Sequence, residues 1–329
     1  MMQTTKTTAS PLRVAIIGAS GIGKNHAAWF QKNGAEICAF AGTSVQSLQA
    51  TSELLRAKLG YAPRGYTELS QLLESEKPDA VCIASPPHLH FQHASICIEN
   101  GVHTLCEKPL VYDAGQTSSA LISQAQQLCE LAAARKVLLA TQMQYYFLAD
   151  AICELANVSP SEIETFEMEM ETKNFKPGRS HETIWIELAP HPLSVLQKLF
   201  PHAQMENDSI QCRVEDQETI AQFQLQQEDE TKIHARITTR CNPDASIPLR
   251  RFTLNGITVD CAGRKNANGD FLTFLSTSNQ ENELPDLVDS LIGNFLAACK
   301  NEAQLVVTGA DGALNVEWLL KILERGKRI

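Results

Sequence analysis

Two short segments of this chain carry side chains suited to steadying charge and moving a proton. In Glu107-Lys108-Pro109 an ammonium stands between a carboxylate and a proline, directly after the run Val102-His103-Thr104-Leu105-Cys106. At the end of a buried strand, such an ammonium can hydrogen-bond a substrate oxygen and stabilise the charge that develops there. Pro109 would end the strand and Glu107 would hold the ammonium. The plain alternative is a surface Glu-Lys pair before a proline turn. The second segment is Trp185-Ile186-Glu187-Leu188-Ala189-Pro190-His191-Pro192-Leu193-Ser194. Its imidazole titrates near neutrality, so His191 is the natural acceptor of a hydroxyl proton. Glu187 lies one helical turn earlier and would share a face with His191 if a single helix carried both. Pro192 disfavours helical geometry at His191, which allows the helix to start only there. A capping role in a Pro-His-Pro turn is the other reading.

A third segment offers a place for phosphate. The β-branched run Val14-Ala15-Ile16-Ile17 breaks into Gly18-Ala19-Ser20-Gly21-Ile22-Gly23 and continues as a helical pattern through His26 and Phe30. Gly18 permits a tight turn, Gly23 lets the helix sit close to the strand, and the loop N–H groups of Ser20, Gly21 and Ile22 face outward for a pyrophosphate. Ser20 replaces the middle glycine of the dinucleotide pattern. The residues also approach a P-loop, but Asn25 stands where a Mg²⁺-binding hydroxyl is required. A glycine turn that binds no phosphate is the third reading. The next strand, Glu36 to Ala41, ends in Gly42, Thr43 and Ser44 with no ribose-binding acid. That leaves room for a 2′-phosphate, a slight lean to NADP(H) over NAD(H).

A short apolar strand, Ala80 to Ala84, ends in Ser85-Pro86-Pro87-His88-Leu89-His90, where a doubly wound sheet binds its ligand. His88, His90 and His93 lack a carboxylate partner, so no metal is expected, and helix entry with packing on the cofactor side is the better reading. The glycine turn, this segment and Glu-Lys-Pro, in this order and at these intervals, resemble the Gfo/Idh/MocA oxidoreductase family. The resemblance implies cofactor contacts from Ser85, Pro86, His90, Glu107 and Lys108, with Lys108 at the nicotinamide and taking part in catalysis. It implies that Thr141 to Tyr146 crosses into a second domain. Tyr145 and Tyr146 either line the pocket or pack the crossing. Sugar-acting members often carry a basic residue near Tyr146, and its absence here argues against an acidic or phosphorylated substrate. Glu187, Ala189, His191 and Ser194 take the places of the family's Asp-x-Gly-x-His-x-x-Asp, with Trp185 beside them as a candidate substrate contact. Lys173, Asn174, Arg179 and His181 either contact substrate or form a solvated loop.

The elements that position these residues alternate at first. Helices are predicted at Val45–Leu59, Tyr66–Glu76, Phe91–Asn100 and 113–135, and a last buried strand at Val137–Ala140. This is a Rossmann-type doubly wound parallel sheet, residues 11–142, after a floppy tail of residues 1–10. From Ile163 strands follow one another without helices, through Phe271 to Ser276, so residues 143–329 should form an α+β domain with a mostly antiparallel open sheet. One face should rest on helices and the other be free for a second copy of the chain. Two last helices, from Pro285 and Gly309, should pack back on the body, the first through Leu287, Leu291 and Phe295.

The 329 residues, 43% of them hydrophobic, suffice for two domains. The formal charge of -10 argues against a nucleic-acid partner. No apolar run is long enough to span a membrane, no signal core leads the chain, and its 10 cysteines form no C-x-x-C pair, as expected for a cytoplasmic protein with reduced thiols. Together these point to NAD(P)-dependent hydride transfer to or from a carbinol carbon of a small polyhydroxylated compound. The alternatives are a cofactor-binding regulatory protein on the same scaffold and the reduction of an imine or unsaturated ring.

Overall fold

The computed structural model describes residues 10–173, 180–266 and 271–328, so the tail before Ser10, together with Asn174 and Arg179, lies outside the described residues. Strands β1 (Arg13–Ile17), β2 (Glu36–Ala41), β3 (Arg64–Tyr66), β4 (Ala80–Ile83), β5 (His103–Glu107) and β6 (Leu139–Gln142) form one sheet in the order β3-β2-β1-β4-β5-β6. Every neighbouring pair is parallel. Both faces are covered, which is why Val14 to Ile17 and Ala80 to Ile83 are buried without alternation. Helices α1 (Gly23–Lys32), α2 (Val45–Leu59), α3 (Leu69–Glu76), α4 (His90–Glu99) and α5 (Ser118–Arg135) make the crossovers. The strand order reverses between β1 and β4, which opens a crevice beyond their carboxyl ends.

In the first sheet and its helices, three elements shift at a boundary by two or more residues from the sequence reading. The helix expected from Tyr66 starts at Leu69, because Tyr66 is drawn into β3 beside Ala41. The helix expected from Asp113 starts at Ser118, capped by Thr117, while the Asp113 carboxylate closes a turn on the Gly115 amide at 2.9 Å. The last parallel strand begins at Leu139, two residues into the expected Val137–Ala140, as the Leu138 carbonyl already pairs with the Thr104 amide at 2.8 Å.

Beyond Gln142 the chain enters α6 (Ala149–Ala156) and a second sheet. Its strands are β7 (Thr165–Thr172), β8 (Gln204–Met205), β9 (Gln211–Val214), β10 (Glu218–Gln226), β11 (Lys232–Cys241), β12 (Arg250–Leu254), β13 (Ile257–Lys265), β14 (Phe271–Ser276), β15 (Glu281–Leu284) and β16 (Gly326–Arg328). All pairings are antiparallel except β7 with β11 and β9 with β16. Period-two alternation sorts the side chains. Phe166, Met168, Met170, Ile237 and Phe252 face inward, and Glu167, Glu169 and Arg236 face out. On the outer face Arg240 holds Glu169, Glu171 and Glu218 at 3.0, 2.7 and 3.3 Å. The inner face is covered by α6 and α7 (His181–Leu188), against which α8 (Pro190–Leu199) packs in turn.

The last two helices, α9 (Leu287–Cys299) and α10 (Gly309–Glu324), return to the first sheet. α9 inserts Leu291, Ile292, Phe295 and Leu296 among Val14, Ile16, Phe30 and Phe40, with Phe295 edge-on to Phe30 at 6.3 Å. α10 donates from Asn315 Nδ2 to the Pro190 carbonyl at 3.1 Å and so braces the start of α8. Phe295 is 0% exposed, and Phe295→Ala is expected to cost about 3–5 kcal/mol of stability, read as a lower midpoint in urea unfolding.

Candidate active site

The glycine turn is built from close backbone approach. Gly18 has φ +86°, and a Cβ there would stand 2.6 Å from the Ala84 carbonyl oxygen. A Cβ on Gly23 would stand 2.6 Å from the Gly18 oxygen, so helix and turn fit only without side chains. Nothing lies within 4 Å of the Cβ position of Gly21, and Ser20 and Gly21 are exposed. No side chain caps α1, whose N-cap is Ile22, 44% exposed. An uncapped helix N-terminus facing an open glycine loop has free N–H groups and positive field for an anion. The residues present therefore fit the pyrophosphate of a dinucleotide. At the end of β2, Thr43 is exposed, while the Ser44 hydroxyl already accepts the Ser47 amide at 3.2 Å.

Next to the crevice, two turns are tied together by His90. Its Nδ1 lies 2.9 Å from the Pro109 carbonyl and its Nε2 2.8 Å from the Ser85 carbonyl. Burial lowers its pKa against the pull of those carbonyls and of Glu107, so the ring is neutral and donates from one nitrogen at a time. His90 is thus a brace between the Ser85-Pro86 turn and the Lys108-Pro109 turn, 1% exposed, and presents no free nitrogen to a cofactor. The Ser85 hydroxyl pairs with His93 Nδ1 at 3.0 Å.

The ammonium of Lys108 points across the crevice. Glu107 does not take the role of its holder: one carboxylate oxygen pairs with His26 Nε2 at 2.7 Å and the other accepts the Lys108 amide at 3.1 Å. Burial raises the Glu107 pKa, but the His26 bond and the Lys108 charge outweigh it and hold the carboxyl below its ordinary value. Lys108 Nζ donates instead to the Glu187 carbonyl at 2.5 Å. That carbonyl is available because α7 ends at Leu188 and leaves its last carbonyls without helical partners.

His191 and Glu187 belong to different helices, so the two do not share a face and the helix of His191 starts beside it, as Pro192 allows. Ala189 stays in the helical region, yet Pro190 and Pro192 bring no N–H, so α7 stops and α8 restarts at Pro190. His191 is 6% exposed and its Nδ1 has no partner. Its ring lies 4.6 Å from that of Tyr145. Burial, then the Lys108 and Arg250 charges, push its pKa well below 6.5. The Ser194 hydroxyl turns back to the His191 carbonyl at 2.7 Å and is fully buried, so it does not replace the acid of the family pattern in the site.

Two further residues reach this place without having been singled out in the sequence. Gln142 sits opposite Glu107 at the end of β6, and both its side-chain polar atoms are buried without a partner. Arg250, at the start of β12, lies against the Tyr145 hydroxyl with its Nε buried and unpartnered. No local pattern marks either; only pairing of distant strands brings them in.

The remaining candidates take other roles. Trp185 is 0% exposed and donates from Nε1 to the Leu319 carbonyl at 3.1 Å, so it is a core residue and not a substrate contact. Lys173 spends its ammonium on the Ser246 carbonyl at 3.1 Å, at the exposed end of β7. Tyr145 is buried packing between His191 and Phe252, and Tyr146 packs partly buried beneath Lys198 at 5.8 Å.

Residues 12–143 match the model of the oxidoreductase family with an NAD-binding Rossmann fold, GFO_IDH_MocA. The chain is 32% identical over 145 residues to D-glucoside 3-dehydrogenase of Escherichia coli (strain K12), 44% of this chain and 38% of that protein. It is 34% identical over 106 residues to scyllo-inositol 2-dehydrogenase (NADP(+)) IolU of Bacillus subtilis (strain 168), 32% of this chain and 31% of that protein. The match thus spans less than two fifths of either relative. In three dimensions the chain is similar to UDP-N-acetylglucosamine 3-dehydrogenase GnnA from Acidithiobacillus ferrooxidans, with TM-score 0.73 and 19% identity over 96% of this chain and 98% of that one, a likeness of fold.

The His26–Glu107 pair has a consequence in acid. A carboxyl whose pKa is lower folded than unfolded adds stability above its ordinary value of 4.5, lost as pH falls through the folded value. Glu107→Gln is expected to cost about 1–3 kcal/mol at pH 7. It should also flatten the acid limb below pH 4.5 in a pH series of urea midpoints.

Proposed function

We propose, from the match of residues 12–143 to the Gfo/Idh/MocA family model, that the chain belongs to that family and is an NAD(P)-dependent oxidoreductase acting on a CH–OH carbon of a small polyhydroxylated compound. The observation that carries this reading is the meeting of Lys108 Nζ with the Glu187 carbonyl at 2.5 Å, beside a buried neutral imidazole and next to an open glycine turn. When bound, the nicotinamide supplies the acceptor or donor of hydride. Ser20, Gly21, Ile22 and Gly23 hold its pyrophosphate, and the acid-free end of β2 at Thr43 and Ser44 favours NADP(H) slightly over NAD(H).

In the oxidising direction the Lys108 ammonium hydrogen-bonds the substrate oxygen and steadies its growing negative charge. His191 accepts the hydroxyl proton; its neutral form persists well into the acid range because burial and two neighbouring cations oppose protonation. Glu187 positions Lys108 through its backbone carbonyl. Residues 11–142 then serve the cofactor, and residues 143–329 serve the substrate and contacts between copies of the chain through the outer face of the second sheet.

Lys108→Met is expected to lower kcat by about 10²–10³-fold while cofactor affinity changes by no more than about threefold. Unchanged turnover would remove Lys108 from the chemistry. For the oxidation, the acid fall of kcat/KM should lie well below 6.5, where an ordinary histidine would put it. A fall centred at 6.5 or above would place the base elsewhere.

A further inference from the structure

We infer that Arg250 makes this site selective for a substrate bearing a carboxylate, a sugar acid or similar polyhydroxy acid, with the reacting carbinol at Lys108 and His191. The inference rests on the dehydrogenase reading above and adds the class of substrate. Arg250 and Phe252 alternate on one face of β12, opposite Met170 and Met168 of β7, which are buried. Phe252 touches Tyr145 at 6.4 Å between ring centres, and Tyr145 in turn stacks on His191 at 4.6 Å. The guanidinium is therefore carried on the core face of the sheet, one ring away from the imidazole.

Its neighbours Arg240 and Arg251 point outward and hold Glu169, Glu171 and Asp260. Arg250 makes no ion pair among the described residues, and its Nε is buried without any partner. Arg250 is partly buried and its guanidinium meets the Tyr145 hydroxyl, so a fixed positive charge with no carboxylate beside it is left to attract an anion. The electrostatic neighbours felt by His191 are both cations, Lys108 and Arg250. Lys108 is turned to the Glu187 carbonyl at the crevice, which leaves Arg250 for the anion. The terminal nitrogens of one planar guanidinium match one carboxylate in a two-bond fork, whereas a phosphate dianion calls for more donors than this.

The test uses the purified full chain, first loaded with NADH or NADPH, binding being followed by nicotinamide fluorescence. Paired probes are then added at equal ionic strength: D-glucuronate against D-glucose, D-galacturonate against D-galactose, and D-glucose 6-phosphate. The loaded protein should gain melting temperature with the acids, and kcat/KM with NAD(P)+ should favour each acid over its neutral partner by about tenfold or more. Arg250→Met should raise KM for the acid by about tenfold or more and erase that preference, and Arg250→Lys should keep part of it. Preference for the neutral sugars or the phosphate, equal response to both members of a pair, or no response by a cofactor-loaded protein would overturn the inference. Oxidation of the neutral sugars alone would leave the dehydrogenase reading standing, and failure to bind either cofactor would remove both. The wild-type comparison decides the matter even if Arg250→Met does not fold.

Discussion

The contact between Lys108 Nζ and the Glu187 carbonyl joins the two sheets' contributions to the site. The ammonium comes from the end of β5, and the carbonyl from the end of a helix lying on the second sheet. Each exists because a regular element stops. Strand β5 ends before Pro109, and α7 ends because Pro190 and Pro192 cannot continue its ladder. Two chain breaks, one in each unit, therefore leave a donor and an acceptor facing each other over the crevice at the strand-order reversal.

Around that contact the polar groups are unusually constrained for a protein interior. Glu107 is consumed by His26 and by the Lys108 amide, and His90 lies between two carbonyls and donates to one at a time, so both act by fixing the turn that carries the lysine. Gln142 and the Nδ1 of His191 are the opposite case, buried polar atoms with no protein partner. Native interiors leave few such groups, and a cluster of them beside an open anion-binding turn is what a ligand site looks like before its ligand is counted. Burial first, and then the Lys108 and Arg250 charges, lower the His191 pKa, and it is those two cations that the inferred acidic substrate would meet.

The cofactor half of the molecule was legible because its signals are local. A β-branched run, a glycine turn and a helix are adjacent in sequence, and the apolar strands at Ala80 and Val102 announce burial on both faces. The second sheet was legible as a class from its alternation, but its order was not, since β7 pairs with β11 and β12 across long insertions. For the same reason Arg250 could not be placed beside Tyr145 by reading either segment. Glu187 and His191 look like one helix face by spacing, and only the two prolines between and after them divide it. Trp185 resembled a pocket aromatic by position in its motif, while its depth under α10 depends on a helix far along the chain.

The most direct measurement is a titration of NADPH and NADH into the wild-type protein and into Ser20→Asp, followed by nicotinamide fluorescence. Ser20 is exposed on the glycine turn, so a carboxylate there leaves the fold alone and meets the pyrophosphate with like charge. The account predicts saturable binding by the wild type and affinity weaker by about tenfold or more in the variant. Equal binding by both proteins, or none by a well-folded wild type, would contradict it.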